Sequence, residues 1–343
     1  MKRKYKTRFI IITVVLLFVF FSSFLLGRYS ISIVELVDFL VRLVRLPFDK
    51  NALDGFSRTF NVIVRMRLPR ITAAMFIGAA LSCAGASFQG MFRNPMVSPD
   101  ILGAATGSGF GAALGILLSF SYFGITLSAF LFGLAAVFLA YVVSRVSRLN
   151  ATLSLVLSGV MISSLFSACT SLIKLVADTE EQLPAITYWL MGSLTSIKLE
   201  DLPFALIPIT VGMIPLFLLR WRINLLTVAE DEAKTLGINT TRLRLIVIVC
   251  ATLMTAASVS VSGMIGWVGL VIPHFCRMLF GFDYRRIIPA SAIMGAAFLM
   301  LVDNIARNAT TSEIPIGILT AFVGAPVFVY LIMSGGEARE RKS

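Results

Sequence analysis

Read for polarity alone, the chain is a succession of long apolar runs separated by short polar connections. An α-helix needs about 20 apolar residues to cross hydrocarbon. On that measure the pattern predicts ten spans, at about 9–27, 71–91, 101–120, 125–144, 153–174, 203–220, 243–262, 264–280, 289–306 and 314–333. Two polar stretches break the rhythm. In the first, 28–70, Ser32-Ile33-Val34-Glu35 has the spacing of a capping box, and apolar residues follow at helical intervals as far as Pro47. This predicts an amphipathic helix lying on the outer face. In the second, 175–202, Asp178, Glu180 and Glu181 precede Ile186-Thr187-Tyr188-Trp189-Leu190-Met191-Gly192-Ser193. That segment is too short and polar to span, and it predicts a short helix beside an outer mouth, with Tyr188 and Trp189 at the interface where amphipathic rings are favoured.

Composition turns this pattern into a class. With 57% hydrophobic and 14% charged residues among 343, the chain carries more apolar surface than one water-soluble core can hide. It reads as an all-α polytopic membrane protein: one transmembrane domain over 1–343, with a tail at 1–8, a ten-helix bundle over 9–333 and a second tail at 334–343. The net charge of +12 is scattered over loops and helix ends, which argues against a nucleic-acid partner. Topology accounts for most of it. Lys2, Arg3, Lys4, Lys6 and Arg8 precede the first run, and no small-residue cleavage site follows it. The first span is therefore read as retained, with both termini cytoplasmic in the cell membrane and the bundle in contact with lipid. With that orientation 19 of the 30 Lys and Arg residues fall inside, and eight of the other 11 lie in the 28–70 loop. Cys83, Cys169, Cys250 and Cys276 stand singly in apolar runs, without metal or redox spacing.

Several groups could carry chemistry. Gly103, Gly107, Gly111 and Gly115 recur every fourth residue, which predicts one small-residue helix face for close helix packing. Arg65, Arg67 and Arg70 cluster at the outer end of span two, and Arg307 follows span nine on the same side. Such cations would speed encounter with an acidic partner, although Asp303, four residues before Arg307, could pair with it instead. The cytoplasmic loop Ala229-Glu230-Asp231-Glu232-Ala233-Lys234-Thr235-Leu236-Gly237-Ile238 reads as a charged short helix stopped by glycine. The span middles are almost uncharged, which weighs against ion-coupled transport. There is no His-Glu-x-x-His motif and no phosphate-binding Gly-x-x-x-x-Gly-Lys-Ser/Thr loop, so no metal site or ATPase site is expected in this chain.

The stretch Gly263-Met264-Ile265-Gly266-Trp267-Val268-Gly269-Leu270-Val271-Ile272-Pro273-His274-Phe275-Cys276-Arg277, followed by Asp283-Tyr284-Arg285-Arg286 and Pro289, closely resembles the FecCD-type permease family, the membrane subunits of ATP-driven importers. So do Gln89-Gly90, Arg93-Asn94-Pro95, Asp100-Ile101-Leu102-Gly103, Trp189-Leu190-Met191-Gly192-Ser193, Glu313-Ile314-Pro315-Ile316-Gly317 and Gly324-Ala325-Pro326. The likeness covers about 60–333. It implies a ten-span subunit that pairs with a second permease, identical or paralogous, around a central pore. Arg67, Arg70 and Arg307 match the arginines that receive glutamates of a soluble binding protein. Glu230, Glu232, Ala233, Leu236 and Gly237 match the loop gripped by the ATPase subunits, where ATP and Mg would bind. Asn150, Ala151 and Thr152 match the cytoplasmic gate. The cargo implied is an iron-siderophore; haem, cobalamin or molybdate is the alternative, and an ion-coupled carrier the reading from another class. His274 is expected to cap an interrupted helix rather than to bind iron.

Overall fold

The computed structural model describes residues 2–27, 29, 31–45, 57–147, 150–227 and 239–340. Its regular structure is helical throughout. Helix α1 (Lys2–Leu25) leads to α2 (Ile33–Arg45). A short α3 (Ser57–Phe60) then continues through a π-helical stretch, Asn61–Arg67, into α4 (Leu68–Phe92). There follow α5 (Ala104–Leu117), α6 (Tyr122–Val146), α7 (Ala151–Val176), α8 (Gln182–Met191) and α9 (Leu202–Leu226). The chain ends with α10 (Thr240–Ser262), α11 (Val268–Phe280), α12 (Tyr284–Asn308) and α13 (Ile316–Glu340).

Among the described residues seven helices are long and apolar enough to cross a membrane, and three apolar segments are shorter: α5, α11 and the Ile316–Tyr330 part of α13. Every predicted span coincides with a helix, but two are shorter than expected. The run at 101–120 is helical only from Ala104 to Leu117, and that at 264–280 only from Val268. Helices of 14 and 13 residues are about 20 Å long at 1.5 Å per residue, short of a hydrocarbon thickness of about 30 Å. Hydropathy sees the apolar run and misses its irregular backbone. At 263–267 the chain takes positive φ at Gly263 and at the non-glycine Trp267, a conformation few side chains tolerate.

Non-helical backbone inside a membrane protein must find its hydrogen bonds within the protein. In the 93–103 connection, buried Gln89 of α4 supplies one. Its amide nitrogen lies 3.1 Å from the Val97 carbonyl, 3.4 Å from that of Gly269 and 3.3 Å from that of Leu270, while its oxygen accepts from Arg277. One side chain thus holds both the 93–103 connection and the first turn of α11.

The amphipathic helix expected after Ser32 is present as α2, with its capping box. Ser32 Oγ accepts from the Glu35 N–H at 3.1 Å, and the Glu35 carboxylate accepts from the Ser32 N–H at 2.9 Å. Leu36 and Phe39 are buried, whereas Ile33, Val34 and Val37 face outward. The second short helix, predicted around 186–193, is α8. Its Gly192 carbonyl accepts from Ile316 N at 2.9 Å, and Ser193 N donates to the Ser262 carbonyl at 2.7 Å. Three connections are tied together there.

Helices α4, α10 and α12 form the buried centre. Close approach makes this possible: a Cβ on Gly78 would overlap the Gly295 carbonyl of α12, and one on Gly85 would overlap the Gly269 carbonyl of α11. Gly266, in contrast, has open space around it. We therefore expect Gly85→Ala to destabilise the chain by about 1–3 kcal/mol, as overpacking generally does, and Gly266→Ala to leave the thermal midpoint in detergent unchanged.

Ahead of α5, Asp100 accepts from Ala105 N at 2.6 Å.

Candidate functional site

At one end of α4 and α12 the structure gathers the arginines singled out in the sequence. Arg70, in the first turn of α4, bonds Asp303 of α12 through Nε at 2.8 Å and Glu313 through Nη1 at 2.7 Å. Arg307 pairs with Asp303 at 3.1 Å from one turn further along α12, and also donates to Asn304. Asp303 is 1% exposed. A buried carboxylate is tolerable when flanked by cations and satisfied by hydrogen bonds, and two guanidinium groups meet that condition here. The pairing of Asp303 with Arg307 inferred from their spacing is therefore present.

Arg67 has a different task. It donates to the carbonyl of Phe24, which α1 leaves unsatisfied at its carboxyl end, and to that of Tyr29 just beyond the helix. Asn304 Nδ2 donates to Ser23 Oγ at 2.7 Å beside it, so α1 is fastened to both α4 and α12. Arg67, Arg70 and Arg307 are consequently buried, at 5%, 7% and 7% exposure. They form the floor of a cleft of about 580 Å³ whose lining also includes Arg65, Tyr122, Thr195, Lys198 and Glu313. Arg65 is exposed, and the Lys198 side chain is 72% exposed, with Glu200 3.7 Å away. The electropositive lip thus rests on Arg65 and Lys198, while the three arginines beneath it are engaged within the protein. Glu313, which also accepts from Thr195 Oγ1 at 2.7 Å, was not picked out as a site residue. Its place in the quoted Glu313-Ile314-Pro315 motif was the available signal.

At the opposite end, Asn150 caps α7, accepting from Thr152 N at 3.0 Å. Ala151 and Thr152 line a crevice of about 130 Å³ together with Met91, Tyr141, Arg145 and Arg244. Glu230, Glu232, Ala233, Leu236 and Gly237 lie outside the described residues. Arg277, 8% exposed, bonds Gln89, and its Nη2 is 3.4 Å from both the Pro95 carbonyl and His274 Nδ1. His274 therefore faces a cation, the wrong neighbour for a metal ligand. Among the described residues no cluster of three metal-ligating side chains occurs.

The glycine row divides. Gly107, Gly111 and Gly115 abut α6 through Ala136, Ser128 and Ile125, and Ser128 Oγ donates to the Gly111 carbonyl at 2.7 Å. Gly103 does not share that face. It precedes the helix at φ 88° and sits against Ser163 of α7, because a four-residue spacing marks one face only while the backbone stays helical.

Seven helices long and apolar enough to cross a membrane, packed about a buried centre, define a polytopic membrane protein. Residues 15–334 match the FecCD transport family. The chain is 42% identical over 314 residues to a molybdate import system permease of Haemophilus influenzae, spanning 91% of each chain. It is 40% identical over 308 residues to a probable iron chelatin transport system permease of Helicobacter pylori, covering 90% of this chain and 92% of the relative. A solved structure described as an inward-facing metal-chelate type ABC transporter superposes with a TM-score of 0.83 at 40% identity, covering 94% of this chain and 97% of that one. The chain belongs to the FecCD transport family, and it is a membrane permease subunit of an ABC importer.

The burial pattern separates the arginines by role. Asp303→Ala leaves Arg70 and Arg307 buried beside each other, and should cost about 3–5 kcal/mol of stability. Arg65→Ala should change the melting midpoint by no more than an ordinary surface substitution, within about 0.5 kcal/mol.

Proposed function

We propose that two permease subunits, this chain with an identical or paralogous partner, enclose a pore that carries an iron-siderophore into the cell. Ten spans would place both termini in the cytoplasm, a reading supported by the Lys and Arg bias of the connections. ATPase subunits would grip the 229–238 loops, and ATP and Mg would reside in them, with no cofactor in this chain. A soluble binding protein would dock over the outer cleft, its acidic groups drawn to the lip of Arg65 and Lys198 and to the floor of Arg67, Arg70 and Arg307. Asn150, Ala151 and Thr152 would gate the cytoplasmic end.

The observation that carries the docking reading is the cation-lined cleft, since five basic side chains and one carboxylate line it. For the cargo, the support is the iron chelatin and siderophore permeases among the relatives. A molybdate permease at 42% identity supports the second reading. The experiment is ATPase activity and uptake by the reconstituted importer, with iron-loaded siderophores or molybdate on the cognate binding protein. The iron reading expects stimulation and accumulation with a siderophore and neither with molybdate; the reverse result overturns it. Arg65→Glu together with Lys198→Glu should slow binding-protein association about tenfold or more at low salt, with a smaller difference at high salt.

A further inference from the structure

Helix α9 delivers the chain to the 229–238 loop, and its last turn is gripped from two sides. Asn224 donates from Nδ2 to Asp283 Oδ1 at 3.0 Å and accepts from Tyr284 N at 2.9 Å, a two-bond clamp on the residues that start α12. Arg93, just past the end of α4, donates from Nε to the Leu226 carbonyl at 2.8 Å. Asp283 also caps α12 by accepting from Arg285 N at 3.0 Å, so the clamp acts directly on that helix terminus. The Tyr284 ring is buried, and with Ile223 it packs over Gly90, where a Cβ would meet both.

From this joint α12 runs 25 residues, about 37 Å, enough to traverse the hydrocarbon. Its far end carries Asp303, Asn304 and Arg307, which bond Arg70 of α4 and Ser23 of α1 beneath the outer cleft. Between the two ends α12 lies against α4 backbone to backbone at Gly78 and Gly295, with Ser82 filling the space beside Gly295. Interfaces packed this closely move as units rather than deform continuously.

We infer that Asn224 and Asp283 are positioning residues for transport, forming the joint through which the α4–α12 pair transmits engagement of the outer cleft to the end of α9 that holds the ATPase loop. This rests on the importer reading above. Neither side chain touches cargo or nucleotide. Their part is to make the end of α9 and the start of α12 move together.

The test uses the whole reconstituted importer, with its ATPase and its loaded binding protein. Asn224→Ala removes both clamp bonds, whereas Asp283→Ser keeps a cap on α12 but cannot reach Asn224. Each should leave basal ATP hydrolysis, assembly and the melting midpoint close to those of the unsubstituted complex. Stimulation by the binding protein should fall about fivefold or more, the scale of an ordinary coupling free energy. The double variant should lose no more than either single one, because both act through one contact. Full stimulation in both variants overturns the inference. So does a proportionate fall in basal rate, stimulated rate and melting midpoint, which marks a merely structural contact. Absence of stimulation in the unsubstituted complex refutes the importer reading itself, and that failure is visible before any variant is compared.

Discussion

Asp303 is the constraint around which one end of the molecule, where α1, α4 and α12 meet, is arranged. A carboxylate at 1% exposure is costly to leave uncompensated, and its two cations arrive from different places, Arg70 from α4 and Arg307 from its own helix. Satisfying one charge therefore sets the relative height of α4 and α12. Asn304 and Arg67 extend the same arrangement to α1. The glycine contacts along the α4–α12 seam depend on that height, since Gly78 lies against the Gly295 backbone and the Leu299 side chain. Charge compensation at one end and close packing along the middle thus specify each other.

Much of this was legible in the chain because membrane helices announce themselves by length and apolarity, and every expected span has a helix beneath it. The capping box at Ser32 and Glu35 was readable because both partners lie within four residues. What escaped was set by contacts across long sequence distances. Nothing local says that Arg67 will satisfy carbonyls near residue 24, or that Gln89 will meet residue 269. The same blindness made the arginines look like surface charges. Their grouping at one end of the bundle was readable, but whether the Arg70 guanidinium points to solvent or to a buried Asp303 depends on a helix more than 200 positions away.

The shortened helices follow the same logic. Apolar composition continued through 263–267, so the pattern extended the span, yet the positive φ of Trp267 and the packing of Gly324 against its ring are tertiary facts. The first turn of α11, just after that break, is held by a side chain that no periodicity reveals, Gln89. Glycine spacing misled in the opposite sense at Gly103, where the four-residue rhythm ran past the true start of α5.

Gln89 gives the fold an uneven tolerance to change. Its one amide is within bonding distance of three backbone carbonyls and accepts from a buried guanidinium. A substitution there strips partners simultaneously from the 93–103 connection, from the first turn of α11 and from Arg277, so its effects arrive together rather than by degrees. The position is therefore intolerant out of proportion to its size, since one uncharged side chain serves three parts of the fold at once.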